Sequence, residues 1–282
     1  MKSFKLTFLL EDTVSASKRA MGLKAEHGLS IVVERTKPKI SILMDTGSSP
    51  DVLGHNARIL GFNFDKFDAV FLSHGHYDHT GGLMEVLKDS KKEVVGIAHP
   101  DAFKPKLAIR PKLRYIGVPF GCYEFGCYAK LILVRNSVKI AENIITTGEI
   151  VRSTPYEGPR GFWTIEGNVF LDDSMKDDQG LVLNLEDKGL VILSGCAHAG
   201  IINTIKQAQK LVGIDRVLAV IGGFHLKDSS ERTIKMTINE LMKIDPEIIC
   251  PCHCTGQKAI RQLMLAFGKR CKVLRTGDVI EF

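Results

Sequence analysis

Across 282 residues there is one tryptophan, and no apolar stretch approaches the roughly 18 residues that a membrane span requires. Solenoid-type repeats, low-complexity tracts and linkers are also missing, which excludes extended repeat architectures and disordered tethers. Seven cysteines is an odd count, so a complete disulfide framework is excluded as well. Reduced thiols and a cytoplasmic location are therefore expected, with no membrane partner. In a hyperthermophile the pair Cys122 and Cys127, spaced C-x4-C, could still be bridged. The opening MKSFKLTFLLED holds an apolar run that Lys5 interrupts and Glu11 stops, and no small-residue cleavage site follows. It is expected to be a strand and not a signal peptide.

Hydrophobic residues make up 44% and charged residues 25%, the balance of a globular chain with a large core. One domain spanning 1–282 is expected, with an elaboration at about 100–170 lying over the active face. That segment is rich in proline, glycine and basic residues and has poor periodicity. It includes KPKLAIRPKLR (104–114), with five basic residues and no acidic one. The net charge of +6 favours a small anionic substrate. It is too mild to require nucleic acid, and no basic stripe interleaved with aromatics supports a nuclease.

Five times, a β-branched apolar run ends in a polar cluster and gives way to helical spacing. ISILMDTG (40–47) leads to DVLGHNARILG, and AVFLSHGHYDH (69–79) leads to GGLMEVLKD. LVILSGCAH (190–198) precedes AGIINTIKQAQKLVG, and VLAVIGGFH (217–225) precedes a helix that Ser229 or Ser230 would cap. EIICPCHC (247–254) precedes TGQKAIRQLMLAFGK. Continuous apolar strands imply sheets covered on both faces. Asp45, the cluster from His74 to His79, His198, His225 and His253 all fall at strand carboxyl ends, where α/β sheets gather ligands. Six of the nine histidines lie there, which favours a common metal site over scattered core or surface residues.

The densest motif is Ser73-His74-Gly75-His76-Tyr77-Asp78-His79. His74 and His76, two apart at an extended strand end, can converge on one cation, while Asp78 and His79 point from the turn towards a second. Zinc, iron and manganese all accept this mixture of nitrogen and oxygen donors. Two such ions about 3.5–4 Å apart would activate water and polarise a phosphoryl or carbonyl oxygen.

These residues resemble the metallo-β-lactamase superfamily: LMDTG (43–47) its first motif and SHGHYDHTGG (73–82) its second. HGLS (27–30), LSGCAHAGIIN (193–203), GGFHL (222–226), PCHCTG (251–256) and GDVIEF (277–282) resemble one branch. That branch includes the dihydropterin–ribofuranosylaminobenzene 5′-phosphate synthases and metal-dependent hydrolases similar to them. The resemblance implies an α/β fold, an αββα sandwich of two mixed sheets covered by helices, with metals at one edge. It implies His74, His76, Asp78, His79 and His253 as ligands. Where the superfamily has a bridging aspartate, this chain has Cys196, with His198 two residues on, and Asp178 falls where a third histidine would stand. Either His198 ligates, the favoured reading, or Asp178 and Cys196 do. A cysteine ligand would favour zinc.

Asp45 is expected to hydrogen-bond a ligand histidine and fix its ring. His225 is expected to touch substrate or act as an acid, alongside Asp78 as a catalytic group. Cys252 and Cys254 alternate with His253 in an extended strand, so they are expected to face away from it as packed thiols. His27 is either a substrate contact or a hydrogen-bonded core residue. His55 and His99 read as structural or surface residues. Arg110, Lys112 and Arg114 are candidate phosphate contacts.

The leading expectation is a dinuclear metal-dependent hydrolase, in which metal-bound hydroxide attacks a small, phosphorylated substrate. The alternative is the pterin-linked transferase, which joins an activated hydroxymethyl-dihydropterin to a ribosylaminobenzene phosphate with loss of diphosphate. A non-catalytic metal-binding sensor and a nuclease are the remaining readings. Donors drawn from several strands suit open sites better than a closed structural one.

Overall fold

The computed structural model describes residues 3–91 and 93–282. Its strands begin with β1 (Phe4–Leu10), β2 (Ser30–Arg35), β3 (Ile40–Met44), β4 (Ala69–Phe71), β5 (Val94–Ala98), β6 (Lys106–Ala108), β7 (Arg114–Tyr115) and β8 (Ala129–Leu133). They continue with β9 (Lys139–Ala141), β10 (Ile144–Thr146), β11 (Phe162–Glu166), β12 (Val169–Asp172), β13 (Gly180–Leu185), β14 (Gly189–Ser194), β15 (Val217–Gly223), β16 (Ile248–Cys252) and β17 (Val279–Glu281). The helices are α1 (Ala16–Ala20), α2 (Pro50–Ile59), α3 (Tyr77–Thr80), α4 (Leu83–Asp89), α5 (Cys122–Gly126), α6 (Ile201–Val212), α7 (Glu231–Ile244) and α8 (Gln257–Phe267). No helix among the described residues is long and apolar enough to cross a membrane.

The chain divides into two compact units. The first comprises Met1–Val134, Gly161–Asp173 and Arg275–Phe282; the second comprises Arg135–Arg160 and Ser174–Leu274.

In the first unit a seven-stranded sheet has the order β17-β1-β2-β3-β4-β5-β8. Pairing is antiparallel from β17 to β3 and parallel from β3 to β8. Leu43 and Val70 of the parallel strands are fully buried, and Leu53 and Ala57 of α2 and Leu83, Val86 and Leu87 of α4 join the same core. Truncating a leucine in such a cluster to alanine costs about 2–5 kcal/mol. α2 starts where it does because Ser49 accepts from the Val52 N–H and Pro50 needs no donor partner in the first turn.

The second unit holds a six-stranded sheet in the order β16-β15-β14-β13-β10-β9. β14, β15 and β16 are parallel neighbours, and Gly223 of β15 pairs with Cys252 of β16. Their side chains bury against Ile201, Ile205 and Ala208 of α6, Ile234 and Leu241 of α7, and Ala259 and Leu263 of α8. Ser230 caps α7 by accepting from the Thr233 N–H.

Residues 100–170 do not form one appended segment. β6, β7, β11 and β12 make a four-stranded antiparallel sheet in the first unit, whereas β9 and β10 extend the sheet of the second. The sequence reads poorly there because the strands are short and several of their side chains are exposed.

Candidate functional site

In the first unit the chain leaves β4 at Phe71 and threads the motif through a crowded turn. A Cβ on Gly75 would sit 1.9 Å from the Ala102 carbonyl oxygen, so only glycine lets the backbone pass between His74 and His76. The turn is tied to the end of β3 by the Thr46 N–H, which donates to the His79 carbonyl (2.7 Å).

The side chains that result are close and buried. His74 Nε2 lies 3.1 Å from His76 Nδ1, and the His74 and His79 rings are 4.2 Å apart. Asp45, at φ 59°, accepts from the Ser73 N–H (2.8 Å) and Ser73 hydroxyl (2.7 Å), and its Oδ2 lies 2.7 Å from His79 Nδ1. Asp45 thus fixes the His79 ring with Nε2 turned the other way. Burial, followed by the charges of His79 and His76, holds the His74 imidazole well below its usual range. Neutral imidazole is the form that ligates metal, so this donor set fits a divalent ion. His27 is exposed and not a core residue: its Nδ1 lies 3.1 Å from Asp12 and its Nε2 3.2 Å from Asp78. Asp12 carried no recognisable sequence signal.

The basic run 104–114 is less uniform than its sequence suggests. Lys106 is buried and paired with Asp173 (2.9 Å), and Lys104 is paired with Glu166 (2.6 Å) and Asp101 (3.1 Å). The expectation of five uncompensated cations is corrected by carboxylates distant in sequence. Arg110, Lys112 and Arg114 are exposed.

In the second unit the three parallel strands deliver their donors to one sheet edge. Cys196 and His198 follow β14, His225 follows β15, and His253 and Cys254 follow β16. Ala197, His225 and His253 hold left-handed φ values of 55°, 48° and 47°, uncommon for residues with a side chain and concentrated at functional sites. The left-handed turn at His253 overturns the predicted alternation. β16 ends at Cys252, His253–Thr255 forms a 3-10 turn, and Cys254 leaves the strand pattern. Cys252 is buried, as expected of a packed thiol, but Cys254 is half-buried and joins Cys196 and His225, with one donor atom of each within 4.8 Å of the others.

Burial alone would raise the Cys254 thiol, but hydrogen bonds with Cys196 and His225 and the charges of His253 and His225 hold it well below its usual range. For His225 burial alone would lower the imidazole; the hydrogen bond and charge of Cys254 raise it. The His198 ring lies 4.2 Å from that of His225. Asp178 accepts from the Ala199 N–H (2.8 Å) and so holds the turn that carries His198. Burial pushes the Asp178 carboxyl up to about 7.

The remaining residues lie apart from these clusters. His55 Nε2 lies 2.8 Å from the Gly22 carbonyl, and His99 accepts from the Asp101 N–H. Cys122 and Cys127 are free thiols.

A family model described as the metallo-beta-lactamase superfamily matches residues 23–253. The chain is 35% identical over 269 residues to the 7,8-dihydropterin-6-methyl-4-(beta-D-ribofuranosyl)-aminobenzene-5′-phosphate synthase of Methanocaldococcus jannaschii, covering 92% of this chain and 90% of that protein. A solved metal-dependent hydrolase of the beta-lactamase superfamily matches 99% of both chains, with a TM-score of 0.84 and 29% identity. A diphosphatase of the PhnP family, 14% identical with a TM-score of 0.52 over 100% of this chain and 98% of its own, shares the fold alone. The chain belongs to the metallo-β-lactamase superfamily, and its α/β fold of mixed sheets flanked by helices is the fold of that class. Its buried histidine, aspartate and cysteine clusters are suited to metal.

Proposed function

We propose that the protein is a metal-dependent transferase that joins an activated hydroxymethyl-dihydropterin to a ribosylaminobenzene phosphate. A bond forms to the pterin methylene carbon, and the carbon–oxygen bond to diphosphate breaks with its electron pair leaving on diphosphate. The aminobenzene partner releases a proton. The observation that carries this reading is the 35% identity to the synthase, maintained over nine-tenths of both chains. It outweighs the simpler expectation of a hydrolase, which the 29% identical solved structure keeps as a second reading.

In this reading the protein binds two divalent ions, with His74, His76, Asp78 and His79 as ligands in the first unit and His198 and His253 as ligands in the second. Zinc is the first choice, and iron or manganese suits the same donors. Bound there, the ions supply Lewis acidity to phosphate oxygens. Asp45 orients His79, and Asp178 holds the turn of His198 instead of ligating. Arg110, Lys112 and Arg114 attract the substrate phosphates, with His27 poised beside Asp78 as a further substrate contact. The chain is placed in the cytoplasm, where its thiols stay reduced.

A substrate panel tests the proposal. Metal-loaded protein is offered the pterin diphosphate with the aminobenzene ribotide, and separately phosphodiesters, phosphomonoesters and lactones. Coupled pterin product is expected from the first pair. Turnover of an ester or lactone with no coupled product would return the chain to the hydrolase reading.

A further inference from the structure

We propose that Cys196, His225 and Cys254 form a metal position of their own within the second unit, selective for a soft divalent ion such as zinc. His225 and Cys254 stand outside the ligand set assigned above, and Cys196, whose donor atom also lies within 4.8 Å of that of His253, would border it.

The geometry is that of a partly assembled tetrahedral site. Zinc binds thiolate at about 2.3 Å and imidazole at about 2.0–2.1 Å, which places tetrahedral donors roughly 3.5 Å from one another. The three donor atoms already lie within 4.8 Å of one another, so closing any gap to the tetrahedral spacing takes at most about 1.3 Å. Two sulfurs and one nitrogen favour zinc over manganese or magnesium, which prefer oxygen.

The backbone is built to bring these atoms together. A Cβ on Gly223 would lie 2.5 Å from the Cys254 sulfur and 2.5 Å from the Gly195 carbonyl oxygen, so the sulfur reaches its place only because β15 ends in glycine. The left-handed turns at Ala197, His225 and His253 each sit on or beside a donor. Each donor follows a different strand of one parallel sheet, and the Gly223–Cys252 pairing holds two of those strand ends in register. The Cys254 sulfur also lies 3.4 Å from the Cys196 carbonyl oxygen. Packing alone needs neither the strained turns nor the close approach to glycine.

The test uses the full chain, freed of metal by a chelator and titrated with cobalt(II) as the probe for zinc. Thiolate-to-cobalt absorption in the near ultraviolet is expected. Cys254→Ser should lose about half of it, and Cys196→Ser with Cys254→Ser should lose all of it. Cys127→Ser, an exposed thiol of the first unit, should keep it. Full absorption in Cys254→Ser, or none in the parent, overturns the proposal. X-ray absorption of the zinc-loaded chain gives a second readout: the sulfur shell at about 2.3 Å is expected to halve in Cys254→Ser, and an unchanged shell is the overturning result, because Cys196 alone would then supply it. Neither readout involves turnover, so the proposal and the transferase reading stand or fall separately.

Discussion

In the first unit His74, His76, Asp78 and His79 fall within six consecutive residues, and one turn locked by Gly75 sets their geometry. In the second, Cys196, His198, His225, His253 and Cys254 come from three strand ends, and the register of a parallel sheet sets theirs. A donor set on one turn is written in the local sequence and tolerates changes elsewhere in the sheet. A donor set spread over strand ends depends on every pairing between them, because a one-residue slip turns side chains to the opposite face.

The largest expected effect strikes the compact set. His76→Ala removes one buried imidazole and leaves the set incomplete, so activity should fall to background and metal content should drop with it. Wild-type turnover with full metal content in that variant would break the assignment. Asp45→Ala should be milder. It deletes the carboxylate that orients His79 and accepts two bonds from Ser73, and loss of such a partner costs about 10–100-fold in metal affinity. An unchanged affinity would mean that the turn alone positions His79.

Legibility followed the same division. The strands at 40–44, 69–71, 189–194, 217–223 and 248–252 could be read because apolar runs end in polar clusters, and the α7 cap could be narrowed to Ser229 or Ser230, of which the structure uses Ser230, because its chemistry is local. The motif at His74–His79 was readable for the same reason. Cys254 was misplaced because period-two alternation was extended through His253, whose left-handed backbone ends the strand. Lys106 was read as a free cation because its partner Asp173 lies 67 residues away, on the far side of a strand pair that periodicity does not reveal. Glu157 went unnoticed because nothing local marks a residue that accepts from the Ile202 and Asn203 N–H groups at the start of α6.

Two smaller effects sharpen the contrast. Neutralising Arg110, Lys112 and Arg114 together should raise KM for a phosphorylated substrate several-fold and change kcat less, because the proposed metal ligands are untouched. Added salt should raise the parent's KM in the same direction through screening. Identical kinetics in parent and variant at low and high salt would return this run to a solvated surface.

The smallest effect concerns Glu157 in the second unit. Burial raises its carboxyl from 4.5 to about 7, against the pull of its two backbone donors. Between those values the folded chain holds a proton that the unfolded chain has released. The stability this group contributes is therefore full below about 4.5, is lost as pH rises to about 7, and is flat above. In Glu157→Gln, Tm should fall less steeply than in the parent between these limits, by a few degrees at most. Parallel profiles would place the acid in water.

Metal-dependent bond formation tests the central claim most directly. Chelator-stripped protein is mixed with the pterin diphosphate and the aminobenzene ribotide, and coupled product and diphosphate are quantified as zinc is added back. No product is expected before metal, with product and diphosphate then appearing in equal amounts. Full product formation by the stripped protein, or diphosphate release without coupling in the loaded one, would contradict the account.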